Sequence, residues 1–150
     1  MIHLLRTDAH HPGFAAMVKL LDADLAVRDG KEHSFYAQFN KTVGLKHCIV
    51  ALWQNEPVGC GALKHYSPRQ MEIKRMFVLP AYRGRGIASQ ILAELEKWAA
   101  ELSYVGCILE TGVKQPEAMA LYQKNGYHRI PNYGQYAGVL NSVCFEKSLV

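Results

Sequence analysis

The chain has 150 residues, 49% of them apolar and 20% charged, with a formal net charge of +4. That length suits one domain and excludes two of ordinary size, so residues 1–150 read as a single domain. So mild a charge argues against nucleic acid as the main partner, although it agrees with a polyanionic small ligand.

No apolar run is long enough for a membrane span. The start, Met1-Ile2-His3-Leu4-Leu5-Arg6, lacks the basic-then-apolar pattern of a secretory signal. The expectation is a cytoplasmic protein with no membrane partner. Cys48, Cys60, Cys107 and Cys144 each stand alone in apolar surroundings, without a CxxC pair. They read as buried small hydrophobes in a reducing compartment. The histidines form no HExxH, and no metal site is expected.

In chain order, residues 1–6 read as a short strand. Asp8 is placed to cap a helix running to about Val27, with Phe14, Met17, Val18, Leu21 and Leu25 on one face. Residues 28–46 lose the pattern and read as a loop with one short helix. His47–Trp53 and Val58–Tyr66 are the arms of a hairpin turning at Gln54-Asn55-Glu56-Pro57, and Gln70–Leu79 is the next strand. Pro80 stops it, because proline cannot donate to a ladder. A helix follows, with Ile87, Ile91, Leu92, Leu95, Trp98, Ala99 and Leu102 on one stripe. Gly106–Glu110 is a buried strand. Pro116 opens a short helix that Gly126 closes, and Tyr127–Ile130 and Val139–Lys147 are closing strands. The order is mixed α/β, antiparallel first and strand–helix–strand later.

The segment richest in chemistry runs from Glu72 to Ser89, where a strand passes through Arg83-Gly84-Arg85-Gly86 into a helix. The first helical N–H groups lack intrahelical partners and lie at the positive end of the dipole. A pyrophosphate can satisfy several of them at once. Glycines let its oxygens approach the backbone, and Arg83 and Arg85 add charge. The segment is no Walker loop, since GxxxxGK[ST] is missing, and it lacks the third glycine of a dinucleotide fingerprint. The rival reading is a helix start with glycines chosen for a tight turn.

The surroundings decide between these. Arg83, Gly86 and Ala88 match R/Q-x-x-G-x-G/A, after a strand ending at Val78-Leu79-Pro80. Downstream come Leu109-Glu110-Thr111-Gly112, then Gln115-Pro116-Glu117-Ala118-Met119-Ala120-Leu121-Tyr122, then Gly126-Tyr127. In this order and spacing the chain resembles the GNAT superfamily, the Gcn5-related N-acetyltransferases. One departure is Gln115, where the family usually has asparagine.

The resemblance implies an α/β fold whose mixed sheet has splayed central strands flanked by helices, with acetyl-CoA as co-substrate and no metal. It implies that Met76, Phe77 and Val78 border the pantetheine arm. The turn formed by Arg83, Gly84, Arg85, Gly86, Ile87, Ala88 and Ser89 would hold the pyrophosphate, and the Gln115 amide would bond a pantetheine or a cap. Tyr122 falls at the family's general-acid position. Glu72 falls where some members carry a base, or where a carboxylate orients the acceptor. Tyr36, Phe39, Tyr133 and Tyr136 lie in loops that flank the acceptor cleft in the family, and Lys124 could meet the 3′-phosphate. The expected reaction is direct acetyl transfer to a primary amine of a small molecule, in a ternary complex. Alternatives are a non-catalytic CoA-binding module, or an enzyme acting on a protein lysine or aminoacyl-tRNA. A homodimer is compatible with exposed edge strands.

Overall fold

The computed structural model describes residues 1–38, 41–42 and 44–150. Strand β1 (Ile2–Thr7) pairs antiparallel with β2 (His47–Trp53), and β2 with β3 (Glu56–His65). Gln54 and Asn55 both have positive φ, 51° and 68°, the geometry whose twist suits a tight hairpin. Strand β4 (Gln70–Val78) pairs antiparallel with β3; β5 (Gly106–Gly112) and β6 (His128–Ile130) both flank β7 (Ser142–Ser148). One seven-stranded sheet results, in the order β1-β2-β3-β4-β5-β7-β6.

Helices cover both faces, so the central strands bury alternate residues on opposite sides. Ile49 and Ala51 of β2 join the core under α3 (Ile87–Glu101) and α4 (Pro116–Lys124). Cys48 and Val50 join the core under α1 (Pro12–Asp29), where all five apolar residues of the expected face are buried. A third cluster, Tyr36, Tyr136 and Cys144, gathers beside the short α2 (His33–Ala37). Among the described residues, no helix is long and apolar enough to cross a membrane.

Several local expectations are corrected. The first helix begins after His11, whose Nδ1 accepts from the Gly13 N–H at 2.9 Å, because Pro12 supplies a preformed first turn. Asp8 instead accepts from the His10 N–H and closes the turn before the helix. Leu102 leaves the buried stripe of α3, whereas Trp98 stays half-buried at its edge against the core. Trp98 packs under the Arg6 guanidinium, 4.8 Å from the ring centre, and Leu102 lies at the exposed helix end. Strand β7 starts at Ser142 rather than Val139, since the Asn132 amide bonds the carbonyls of both residues and holds the intervening turn.

Two irregularities in β4 shape everything nearby. The register passes from Cys60↔Phe77 to Ala62↔Lys74, so Arg75 and Met76 together face Gly61, a β-bulge. Arg75 sits at φ +59°, a conformation that costs a non-glycine residue on the order of 1–3 kcal/mol. Gly61 suits the position opposite it: a Cβ there would lie 2.9 Å from Ile91 Cγ2 and 3.0 Å from Leu95 Cδ1 on α3, as well as 2.6 Å from Met76 Sδ. The bulge turns the Arg75 side chain inward to an ion pair with Asp22 on α1. The second irregularity is that β4 and β5 run parallel for only three register pairs, Gln70↔Gly106, Met71↔Cys107 and Glu72↔Ile108. Beyond Glu72 no residue of β4 is paired to β5.

Candidate active site

The separating strands leave a cavity of about 500 Å³, which runs from the start of α3 to the ring of Tyr36. One wall is β4 from Ile73 to Val78; the opposite wall is the end of β5, with Glu110, Thr111 and Gly112, and the exposed side of α4. Helix α1 closes the far end with Leu21 and Leu25.

At the near end, Gly86 has φ +78° and is the N-cap of α3, with no side-chain cap bond. Its carbonyl accepts from Gln90, so the N–H groups of the first turn are free of helical partners. Gly84, Gly86, Ile87, Ala88 and Ser89 all line the cavity, as do Met76, Phe77, Val78, Gln115 and Lys124. Arg83 lines it too, and is fixed: its Nε donates to the Val78 carbonyl at 2.9 Å, with its guanidinium 5.5 Å from the centre of the Phe77 ring. Arg85 is not on the wall and packs over Tyr82 instead, 5.1 Å from the ring centre. Asn125, which the sequence reading passed over, ties the two walls together. Its amide donates to Ser89 Oγ at 3.1 Å and to the Leu121 carbonyl at 2.9 Å.

In the middle stands Tyr122, on α4. Its ring packs against Tyr127 and Phe145, with centres 5.8 Å and 6.3 Å away, while the residue borders the cavity. Burial, helped by the nearby Glu110 charge, pushes the phenol pKa above its ordinary value, so Tyr122 keeps its proton throughout the neutral range.

The far end is where the structure adds most. Glu72 and Lys74 project from β4, two residues apart and therefore on one face of the strand. Glu72 is 5% exposed and does not reach the cavity wall. Its Oε2 accepts from Tyr133 at 2.6 Å, and its Oε1 lies 4.0 Å from Lys74 Nζ. Lys74 does line the cavity, and burial lowers its pKa. Across the gap, Glu110 presents a buried Oε2 without any hydrogen-bond partner. Burial, opposed by Ser142 and Lys74, pushes that carboxyl up to about 7. Glu110 belonged to the recognised stretch, but nothing in a single sequence distinguishes an unpaired buried carboxyl from a solvated one.

The aromatic residues are divided. Tyr36 is on the cavity wall, with its hydroxyl 3.1 Å from Ser142 Oγ. Tyr133 and Tyr136 pack edge-to-face, with centres 5.8 Å apart, behind Glu72 rather than on the wall. Phe39 lies outside the described residues.

Comparison with known proteins agrees with this architecture. The sequence model of the acetyltransferase (GNAT) family matches residues 14–127. The chain is 36% identical over 102 residues to an IAA acetyltransferase of Azospirillum brasilense, covering 67% of each protein. It is 33% identical over 100 residues to the N-acetyltransferase YsnE of Bacillus subtilis, spanning 66% of that protein, and spans 50% of YjgM of Escherichia coli. Among solved structures, a Klebsiella pneumoniae chain assigned as an acyl-CoA N-acyltransferase superimposes with a TM-score of 0.84 at 28% identity, over 100% of this chain and 99% of that one. A GNAT acetyltransferase of Elizabethkingia anophelis, solved with acetyl-CoA bound, shares the fold with a TM-score of 0.70 at 19% identity, over 98% of this chain and 97% of that one. This chain therefore belongs to the acetyltransferase (GNAT) family, the acetyl-CoA-dependent acyltransferases.

Proposed function

We propose that residues 1–150 form one domain that transfers the acetyl group of acetyl-CoA directly to the primary amine of a small acceptor, with both substrates bound together. The observation that carries this reading is a cavity that joins an uncapped helix start, an unpaired strand edge and a buried orphan carboxyl oxygen. The helix start suits a pyrophosphate. The free edge of β4 suits the pantetheine amides, which can pair with it as an added strand does. Acetyl-CoA supplies the activated acyl group when bound.

The chain's own residues then have separable tasks. Backbone groups of Met76 and Val78 hold the pantetheine, and the turn at 83–89 holds the phosphates, with Arg83 braced against Val78. Lys124 stands at the same end for a further phosphate. Glu110, titrating at about 7, takes the proton from the attacking ammonium. Tyr122 donates a hydrogen bond to the departing sulfur. Glu72, engaged by Tyr133 and Lys74, keeps the orienting role rather than that of the base. Tyr36 borders the acceptor, and Tyr133 with Tyr136 supports that end from behind.

A covalent relay through cysteine has little support. None of the four thiols is on the cavity wall, and burial pushes Cys48, Cys60 and Cys107 up to about 12, where a thiolate nucleophile is scarce.

Calorimetric titration with acetyl-CoA, desulfo-CoA and NAD tests the cofactor end, and thiol release with an amine panel tests transfer. One-site binding of both CoA compounds but not NAD, with amine-dependent thiol release, is the expected result. No binding of either CoA compound would overturn the reading at its root.

A further inference from the structure

The acceptor end holds cations and a carboxyl whose bonding capacity is not filled, and Lys74 and Glu110 face each other across it. Lys74 carries three donors on its ammonium, yet among the described residues the one carboxylate within ion-pair range is Glu72, at 4.0 Å. Its side chain is 8% exposed and opens onto the cavity. Glu110 leaves Oε2 buried and unpartnered. The two residues lie on facing walls of the cavity, on β4 and β5, where the strands have just separated, and no ion pair joins them. Buried polar groups in this condition are expensive unless something arrives to complete them.

Other charges share the wall, among them Arg75, whose Nε is buried without a hydrogen-bond partner among the described residues, and Asp29, 3.9 Å from His33 Nδ1. Arg75 is paired to Asp22, and Arg28 to Asp24 and Glu117. The charges felt at Lys74 come from Glu72 and Arg75 on its own strand, Lys64 on β3 and Glu110 on β5. Leu21, Leu25 and Phe77 give the far end an apolar patch, beside the polar Tyr36, Thr111 and Asp29.

Building on the acetyltransferase reading, we infer that the acceptor is an α-amino acid with an apolar side chain, its carboxylate held by the Lys74 ammonium and its amine facing Glu110. A zwitterion matches the two facing groups in sign and order, and its side chain meets the apolar patch. A simple alkylamine would leave Lys74 with only Glu72, 4.0 Å away, and a polyamine would bring a second cation toward it. The ammonium loses one proton to Glu110, its nitrogen bonds the acetyl carbon, the carbon–sulfur bond breaks, and the second proton lost by the nitrogen passes to the sulfur, by way of the Tyr122 hydroxyl, so that the thiol leaves neutral.

The experiment compares phenylalanine, leucine and methionine with their decarboxylated amines, matched for side chain, by thiol release from acetyl-CoA. The wild type should favour the amino acids at least tenfold in kcat/KM, chiefly through KM. In Lys74→Met that preference should collapse toward unity, while Lys74→Arg should retain most of it. Equal turnover of amino acids and amines by the wild type overturns the inference, whether or not the variants fold. So does a preference that survives Lys74→Met. Failure of every amino acid while acetyl-CoA still binds by calorimetry likewise removes it and leaves the cofactor reading intact. Loss of acetyl-CoA binding would instead bring down the reading on which it rests.

Discussion

The two ends of the cavity are built on different principles. At the α3 end the wall is mostly backbone, since Gly84, Gly86 and the first helical turn present N–H groups fixed by φ and by helix geometry. At the α1 end the wall is side chains, with Lys74, Glu110 and Tyr36 drawn from three separate elements. A backbone site tolerates changes of side chain and fails when its conformation changes. A side-chain site fails on changes of a single atom. The comparison can be broken by substitution at either end.

The largest effect is expected at Gly86. Gly86→Asp must hold a Cβ residue at φ +78° and places a carboxylate where the phosphates belong. Strain of about 1–3 kcal/mol, with repulsion added, should weaken acetyl-CoA binding about a thousandfold or more. Arg85→Ala, in the same turn but off the cavity wall, should change the dissociation constant by less than about threefold, as exposed charges usually do. If calorimetry finds the two variants equally impaired, the pyrophosphate is held by side-chain charge and the contrast fails.

At the other end a near-isosteric change should suffice. Glu110→Gln should lower kcat about 10²-fold to 10³-fold, within the range for a general base, with acetyl-CoA affinity unchanged. In the wild type, kcat/KM should rise with pH and level off above about 7, because the active form is the carboxylate. That acid limb should vanish from the residual activity of the variant. A limb that persists near pH 7 in Glu110→Gln would assign it to another group and move the base elsewhere.

Tyr122 stands between the ends and should show a smaller loss. Tyr122→Phe keeps the ring packed on Tyr127 and Phe145 and removes only the hydroxyl. Turnover should fall about tenfold to a hundredfold, with cofactor affinity nearly intact. Equal loss of kcat and of binding would mean that the residue shapes the cavity rather than serving the leaving sulfur.

The same contrast explains what could be read in advance. The α3 end is local in sequence: strand, proline, glycine turn and amphipathic helix follow within Glu72–Ser89, and each has a signature of its own. The splay implied by the family resemblance is present, with pairing that stops after Glu72↔Ile108. The α1 end was harder because its groups meet only through tertiary structure. Nothing local marks Arg75 as the bulge residue, since its positive φ is imposed by the register against β3. Tyr133 and Tyr136 carry the composition of a binding loop, yet they pack behind Glu72, which a one-dimensional reading cannot separate from facing a ligand. Asn125 likewise acquires its part only when the ends of α3 and α4 meet.

The last effect concerns stability rather than turnover, and it tests Glu110 without any substrate. Its carboxyl is raised from 4.5 to about 7 in the folded chain, mainly by burial, with Glu72 and Asp29 adding to the rise and Ser142 and Lys74 opposing it. A group raised on folding favours the native state in its protonated form. Its contribution is therefore complete below about pH 4.5 and is lost as pH climbs through about 7. The amide of Glu110→Gln cannot ionise. The variant should match the wild type in stability near pH 4.5 and exceed it above pH 7, by at most roughly 3 kcal/mol at 1.36 kcal/mol per unit. Urea denaturation at pH 4.5 and pH 8 measures the difference. Parallel curves at the two values would mean that Glu110 is charged in the resting site at no cost. The orphan oxygen would then have a partner already, and the side-chain end of the cavity would be satisfied before any acceptor arrives.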